Sequence, residues 1–323
     1  MPDNEQTNTI RLPARELTVP AHLSEVARTY LASPQPPAAY PPIADKAAWR
    51  TLVAQQDQAV LPLLESMIAQ VLVDVEERNV EGARVFDIFP LGASAGDRGV
   101  VLDMHGGGLF LCGGVLCRMM GIGTAARLGR RVWTVDYRMP PEHPYPAALD
   151  DCIAAYKSLL RERSPQEIVI SGGSAGGNLA AALMLRARDE ELPMPAGLVL
   201  STPEADLTES GDSFQVNEGV DPGLHSLMPV NLLYADGHEL AHPYLSPLFG
   251  DLRGFPPTLL TTGTRDLYLS NTVRMHRALR AVGVAAELHV TEAAPHTGFP
   301  GSPEGEQINV EVRRFIHDAL SKA

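Results

Sequence analysis

Gly172-Gly173-Ser174-Ala175-Gly176 places a hydroxyl among small residues in the spacing G-x-S-x-G. In that pattern a serine rides a sharp strand-to-helix bend with its hydroxyl exposed, and the flanking positions must lack side chains. The β-branched run Ile168-Val169-Ile170 leads into the bend, and a small-residue run with helical character, 179–185, leaves it. The chemistry offered is acyl transfer, provided that a base takes the serine proton and donors meet the oxyanion.

The elements that must position this serine follow from the pattern around it. Short apolar runs at 71–75, 85–89, 100–104, 131–137, 168–171, 198–201, 257–262 and 286–291 read as strands, with helical stretches near 146–160, 178–188 and 270–282. This alternation predicts an α/β chain with a mainly parallel central sheet and helices on both faces. Upstream, residues to about 42 read as a Pro- and Ala-rich arm with one short helix at 23–31. Trp49, Val53, Val60, Leu64, Met67, Ile68 and Val71 recur at helical spacing, with Pro62 starting or kinking a segment. Residues 202–254 break the alternation with Pro, Gly and acidic residues and are read as an inserted lid. The expected organisation is an N-terminal arm with cap helices (1–50), a first core part (51–201), a cap insertion (202–254) and a second core part (255–323).

In such sheets the serine's partners come from later strand ends, acid before histidine. His276 lies mid-helix beside arginines, His289 inside a strand and His317 in the terminal helix, which suits structural or solvated roles. His296, in the loop Ala294-Pro-His-Thr-Gly-Phe299 after the last strand, is the expected base. Asp266 directly follows the strand at 257–262 and is the expected acid, whereas Asp206, Asp221 and Asp236 fall in the lid segment. Asp266 could also cap the next helix, although Ser270 is better placed for that.

The oxyanion requires unobstructed main-chain donors. His105-Gly-Gly-Gly108 after a strand provides such a turn, and the N–H of Ala175 would complete the hole. A phosphate-cradling loop would need a Lys-Ser/Thr pair or a G-x-G-x-x-G run opening a helix, and this stretch has neither. His238-Glu-Leu-Ala-His242 matches the zinc-protease pattern H-E-x-x-H, which needs both histidines on one helical face. Asp236-Gly237 before it and Pro243 after it leave room for about one helical turn, so no metal is expected.

Composition bounds the rest. A formal charge of -13 on 323 residues disfavours phosphate-backbone binding, so nucleic acid is not an expected partner. The acidic, polar opening (residues 1–6) lacks the basic start and apolar core of a signal peptide, and no apolar run reaches spanning length. A cytoplasmic protein without membrane association is expected. Cys112, Cys117 and Cys152 read as reduced, buried thiols.

Taken together, His105-Gly-Gly-Gly108, Tyr137-Arg138 with Pro141-Glu-His-Pro-Tyr-Pro-Ala-Ala-Leu-Asp-Asp151, Gly172-Gly-Ser-Ala-Gly-Gly-Asn-Leu179, Asp266 and His296 resemble the hormone-sensitive-lipase-like family of α/β-hydrolases. The resemblance runs in family order from about residue 100 to 299. It implies the α/β-hydrolase fold with a small helical cap built from the N-terminal helices and the insertion. It also implies a serine carboxylesterase for short- to medium-chain esters, with Ser174, Asp266 and His296 as triad, Gly106, Gly107 and Ala175 as oxyanion donors, and no cofactor. His242-Pro-Tyr-Leu-Ser-Pro-Leu248 looks like the family's return from cap to core. Two positions depart from the pattern: Gly173 and Ser270 stand where the family usually carries an acid. An amidase or peptidase on the same triad, or a non-catalytic relative, are the alternatives; the partner expected is a small ester, with a homo-oligomer left open.

Overall fold

The structure is a computed structural model that describes residues 10, 14, 16–92 and 98–321. The polar opening at 1–6 and most of the arm before residue 16 lie outside the described residues. The strands are β1 (Val73–Val80), β2 (Ala83–Pro90), β3 (Val100–Met104), β4 (Arg131–Asp136), β5 (Ile168–Gly173), β6 (Gly197–Ser201), β7 (Thr258–Gly263) and β8 (Ala286–Thr291). They form one sheet in the order β1-β2-β4-β3-β5-β6-β7-β8; β2 is antiparallel to both neighbours and every pairing beyond β4 is parallel. The expected α/β-hydrolase architecture is therefore present.

Why the strands read as near-continuous apolar runs is visible in the packing. Side chains alternate across a sheet, and here each face meets its own core. Leu102, Ile170, Leu198, Leu200 and Leu260 enter one cluster, whereas Val101, Val169, Val199 and Leu259 enter the other. The first cluster is covered by α4 (Ala147–Glu162), α5 (Ala175–Asp189) and α8 (Leu269–Ala281), and the second by α3 (Val115–Leu128) and α9 (Pro303–Leu320). Burying such a branched side chain is worth roughly 1.5–3 kcal/mol, so slipping any central strand by one residue would exchange two filled faces at once.

The outer hairpin is where expectation and structure differ. The strand expected at 71–75 instead occupies Val73–Val80, because a two-residue turn at Glu81 (φ 55°) and Gly82 (φ 95°) sets the register, with Asn79 Oδ1 accepting the Gly82 N–H at 3.1 Å. This edge strand is rich in charge and lacks the apolar signal of the inner strands.

Two helices precede the sheet. α1 (Glu25–Leu31) is capped by Ser24, and α2 (Lys46–Ile68) by Asp45; α2 continues through Pro62. Trp49 on α2 is fully buried in a cluster with Phe110, Leu227, Val230 and Leu233, joined by Tyr40, Leu111 and Leu224. Within 202–254 the chain forms α6 (Ser213–Val216), α7 (Met228–Ala235) and a 3₁₀ turn at Pro247–Phe249. This segment is stitched into the core, since Asn178 Nδ2 donates to the carbonyls of Glu204 (2.8 Å) and Leu245 (2.7 Å), and it is closed on itself by Leu248 N–H to Ala205 O (3.1 Å). Among the described residues no helix is long and apolar enough to cross a membrane.

Candidate active site

The bend after β5 carries Ser174 at φ 56° and ψ -122°, a conformation that L-residues avoid. It persists because its neighbours have no side chains. A Cβ at Gly172 would lie 2.1 Å from Gly176 O, and one at Gly176 would lie 1.9 Å from Met104 O. Gly173 is different: a Cβ there would meet nothing nearer than Ser201 O at 3.7 Å. A Cβ at that position would make only ordinary contacts.

His296 lies in the loop after β8, 8% exposed, and its Nε2 is 2.8 Å from Ser174 Oγ. Nδ1 is 3.0 Å from Asp266 Oδ1. With the proton on Nδ1, the imidazole donates to the carboxylate and accepts the serine hydroxyl. Asp266 is fully buried and also accepts from Thr262 Oγ1 (2.7 Å) and Tyr268 N–H (2.8 Å). Three donors therefore orient one carboxylate.

The expected cap of the following helix is corrected here. α8 starts at Leu269 with Tyr268 as its N-cap residue, so Ser270 falls inside the first turn. Ser270 instead exchanges bonds with Ser213, its N–H donating to Ser213 Oγ (3.0 Å) and its Oγ accepting the Ser213 N–H (2.9 Å). Asp266 meanwhile takes the Tyr268 N–H just ahead of the helix, which combines the two uses weighed for it.

Burial alone would lower the pKa of His296. The hydrogen bond and charge of Asp266, with the charges of Asp221 and Glu204, outweigh that and hold it above the ordinary imidazole value.

The turn after β3 lies beside the serine. A Cβ at Gly106 would be 3.3 Å from Gly173 O and 3.5 Å from Ser174 Cβ. Gly107 (φ 124°) accepts from the N–H groups of Phe110 (3.2 Å) and Leu111 (3.0 Å), so the turn closes on a carbonyl and does not spend the N–H groups of Gly106 and Gly107 on itself. Ala175, the first residue of α5, presents its N–H at a helix N-terminus. His105 braces the turn: its ring stacks on Tyr137 at 4.1 Å, and its Nδ1 is 2.7 Å from Gly106 O. Burial pushes its pKa down to about 4, so it is neutral.

The remaining histidines stand apart. His276 lies half-exposed on α8, His289 on β8 and His317 on α9. His238 and His242 are exposed and flank the Tyr145 ring at 5.0 and 6.1 Å, beyond the end of α7, so they share no helical face. One group of three metal-type side chains comes together among the described residues, His105, Cys117 and Asp136. There Asp136 already holds the Arg84 guanidinium and the Gly114 N–H, and burial pushes the Cys117 thiol well above its ordinary pKa. All three cysteines are free and buried.

Asp221, set aside in the lid by sequence, belongs to the site. Its Oδ2 accepts the main-chain N–H of His296 (2.8 Å) and Leu267 (3.1 Å), while Oδ1 accepts those of Gly223 (3.0 Å) and Leu224 (3.1 Å). The local half of this pattern is legible in Asp221-Pro-Gly-Leu224, a turn in which Asp bonds ahead to its own backbone. Asp57 was also missed: from α2 it accepts the Cys112 N–H at 2.9 Å, anchoring the loop that follows the Gly106–Gly108 turn.

Residues 101–300 match the family model of the α/β-hydrolase fold. An esterase of Acinetobacter venetianus is 37% identical over 239 residues, 69% of this chain and 76% of the relative. An acetyl-hydrolase of Streptomyces hygroscopicus is 33% identical, covering 70% and 78% respectively. Among solved structures, esterase E25 superposes with a TM-score of 0.89 at 35% identity, over 96% of this chain and 99% of that one. An esterase from the bacterial hormone-sensitive lipase family superposes at 0.73 and 30% identity, over 91% and 96%. The chain belongs to the α/β-hydrolase family, in its hormone-sensitive-lipase-like branch of carboxylesterases.

Proposed function

We propose that the protein hydrolyses soluble carboxylic esters with acyl groups of roughly two to eight carbons through an acyl-enzyme on Ser174. The observation that carries this reading is the continuous line from Ser174 Oγ to His296 Nε2 (2.8 Å) and from His296 Nδ1 to Asp266 (3.0 Å). His296 takes the hydroxyl proton as Ser174 attacks the ester carbonyl, then delivers it to the departing alkoxide. Asp266 fixes the tautomer and stabilises the imidazolium. The N–H groups of Gly106, Gly107 and Ala175 receive the oxyanion, a contribution of about 10²–10³ in rate for each donor. Water, deprotonated by the same histidine, releases the acid.

The N-terminal helices and residues 202–254 form the cap in this reading. Support comes from the apolar cluster of Trp49, Phe110, Leu227, Val230 and Leu233, and from Leu227 Cδ1, which would lie 3.2 Å from a Cβ placed at Gly108. A roof resting on the oxyanion turn leaves room for small acyl groups. Covalent labelling with a serine-directed phosphonate, mapped by mass spectrometry, tests the assignment: the reading expects one adduct, on Ser174, with complete loss of esterase activity, and is overturned by an inactivating adduct on another residue.

A further inference from the structure

Glu204 is the residue of the site whose placement the acyl-transfer scheme leaves unexplained. Its main chain is clamped to the nucleophile bend, N–H to Ser174 O at 3.1 Å and C=O from Asn178 Nδ2 at 2.8 Å, and the residue is 1% exposed. Yet neither carboxyl oxygen completes a hydrogen bond of ordinary geometry. A buried carboxylate without partners costs several kcal/mol. The side chain is therefore not held there by its own bonding.

The groups around it explain what the carboxyl faces. Tyr268, whose hydroxyl is also unbonded, interacts with Glu204 and sets its ring edge-on against His296, centroids 4.8 Å apart at 75°. Asn231 of α7 turns toward the carboxyl, and Glu209, Tyr40 and Tyr234 are its remaining ionisable neighbours beside His296. The other carboxylates near His296 are committed: Asp266 holds three donors and Asp221 four. Among these acids Glu204 is the one whose carboxyl completes no hydrogen bond of ordinary geometry, with Tyr268 and Asn231 close enough to oppose the effect of burial.

We propose that Glu204 is a positioning residue that acts through His296, a second buried carboxylate whose charge stabilises the imidazolium formed as Ser174 gives up its proton. Burial, with Glu209, pushes Glu204 up to about 7, against the opposing influence of Tyr268, His296 and Asn231. Glu204 and His296 then titrate as a coupled pair. Above that range Glu204 is ionised and His296 neutral, the state ready to accept a proton. The inference rests on Ser174 and His296 acting as nucleophile and base.

The test compares Glu204→Gln and Glu204→Asp with wild type in kcat and KM for p-nitrophenyl acetate and butyrate from pH 5 to 9. Glu204→Gln should move the acid limb of kcat/KM down by about one pH unit. It should also lower the plateau kcat about three- to tenfold, with KM within about twofold for both esters. Glu204→Asp should keep the limb within about half of that shift. Titration of the His296 ring proton by NMR in Ser174→Ala with and without Glu204→Gln reads the same shift without turnover and confirms folding. An unmoved limb and an unmoved His296 titration overturn the proposal, as does a change confined to KM or to one acyl length. Phosphonate labelling of wild type is run alongside: labelling of Ser174 with no pH shift removes Glu204's role alone, whereas absent labelling removes the acyl-enzyme reading itself.

Discussion

Asp221 accepts the main-chain N–H groups of both His296 and Leu267, so one carboxylate from the insertion ties together the two loops that carry His296 and Asp266. The loops also meet directly, through Arg265 N–H to Ala294 O (3.0 Å) and Ala293 N–H to Thr264 Oγ1 (2.8 Å). A Cβ at Gly263 would lie 1.9 Å from Ala294 O, so the approach is as close as backbone allows.

Asp221→Ala should therefore act on geometry and stability together. The two buried N–H groups of His296 and Leu267 and the part-buried ones of Gly223 and Leu224 lose their acceptor, at about 1 kcal/mol or more each where water cannot replace it. Urea unfolding should show about 3 kcal/mol of destabilisation, and kcat for p-nitrophenyl acetate should fall by about 10²-fold, as expected for a misplaced base. An unchanged kcat would show that the His296 loop holds its position without this tie.

The pH dependence has a definite sign. His296 must be neutral to take the serine proton, and its pKa is raised above the ordinary imidazole value. Activity is thus lost as pH falls through that raised value. The acid limb of kcat/KM should lie above about 6.5, the unperturbed value. A limb well below it would contradict the electrostatics of the site.

The motif His238-Glu-Leu-Ala-His242 gives a test of another kind. Its histidines pack on Tyr145, and His242 Nδ1 accepts the Tyr244 N–H at 3.2 Å. Exhaustive chelation should leave esterase activity within about twofold, and His242→Ala should cost about 1 kcal/mol of stability with kcat retained. Inactivation by chelator, reversed by added zinc, would require a metal in the reaction.

In the proposed reading the roof over the turn limits substrate size. With Phe110, Leu227, Val230 and Trp49 packed together, esters of roughly two to eight acyl carbons should be hydrolysed fastest, and rate should rise smoothly through the solubility limit. A jump in rate at the emulsion point, or preference for long-chain triglycerides, would contradict a closed roof.

How much of this was legible in the sequence depends on the range of the interaction. The bend at Ser174 and the turn at Gly106–Gly108 declare themselves because strained backbone demands glycine and leaves a local signature. His296 and Asp266 were singled out by placement at strand ends, and parallel topology brings those ends, with Ser174, to one edge. Asp221 was set aside and Glu204 and Asp57 went unremarked because their bonds or charge reach across dozens of residues and depend on how the insertion and α2 fold back. The extent of the edge strand β1 was misplaced for the opposite reason: Val-Asp-Val-Glu-Glu-Arg-Asn-Val offers little apolar pattern, and its bounds are fixed by the Glu81-Gly82 turn. Met119 and Met120 lie half-buried on α3, the helix packed against α2, β2 and β4.

The central claim is that Ser174 forms the acyl-enzyme, and Ser174→Ala isolates it, since removing one oxygen leaves the bend, the turn and the His296–Asp266 pair in place. The measurement is kcat/KM for p-nitrophenyl acetate, on protein whose thermal unfolding matches wild type. The account predicts a fall of about 10⁴-fold or more. Turnover within about tenfold of wild type would contradict it.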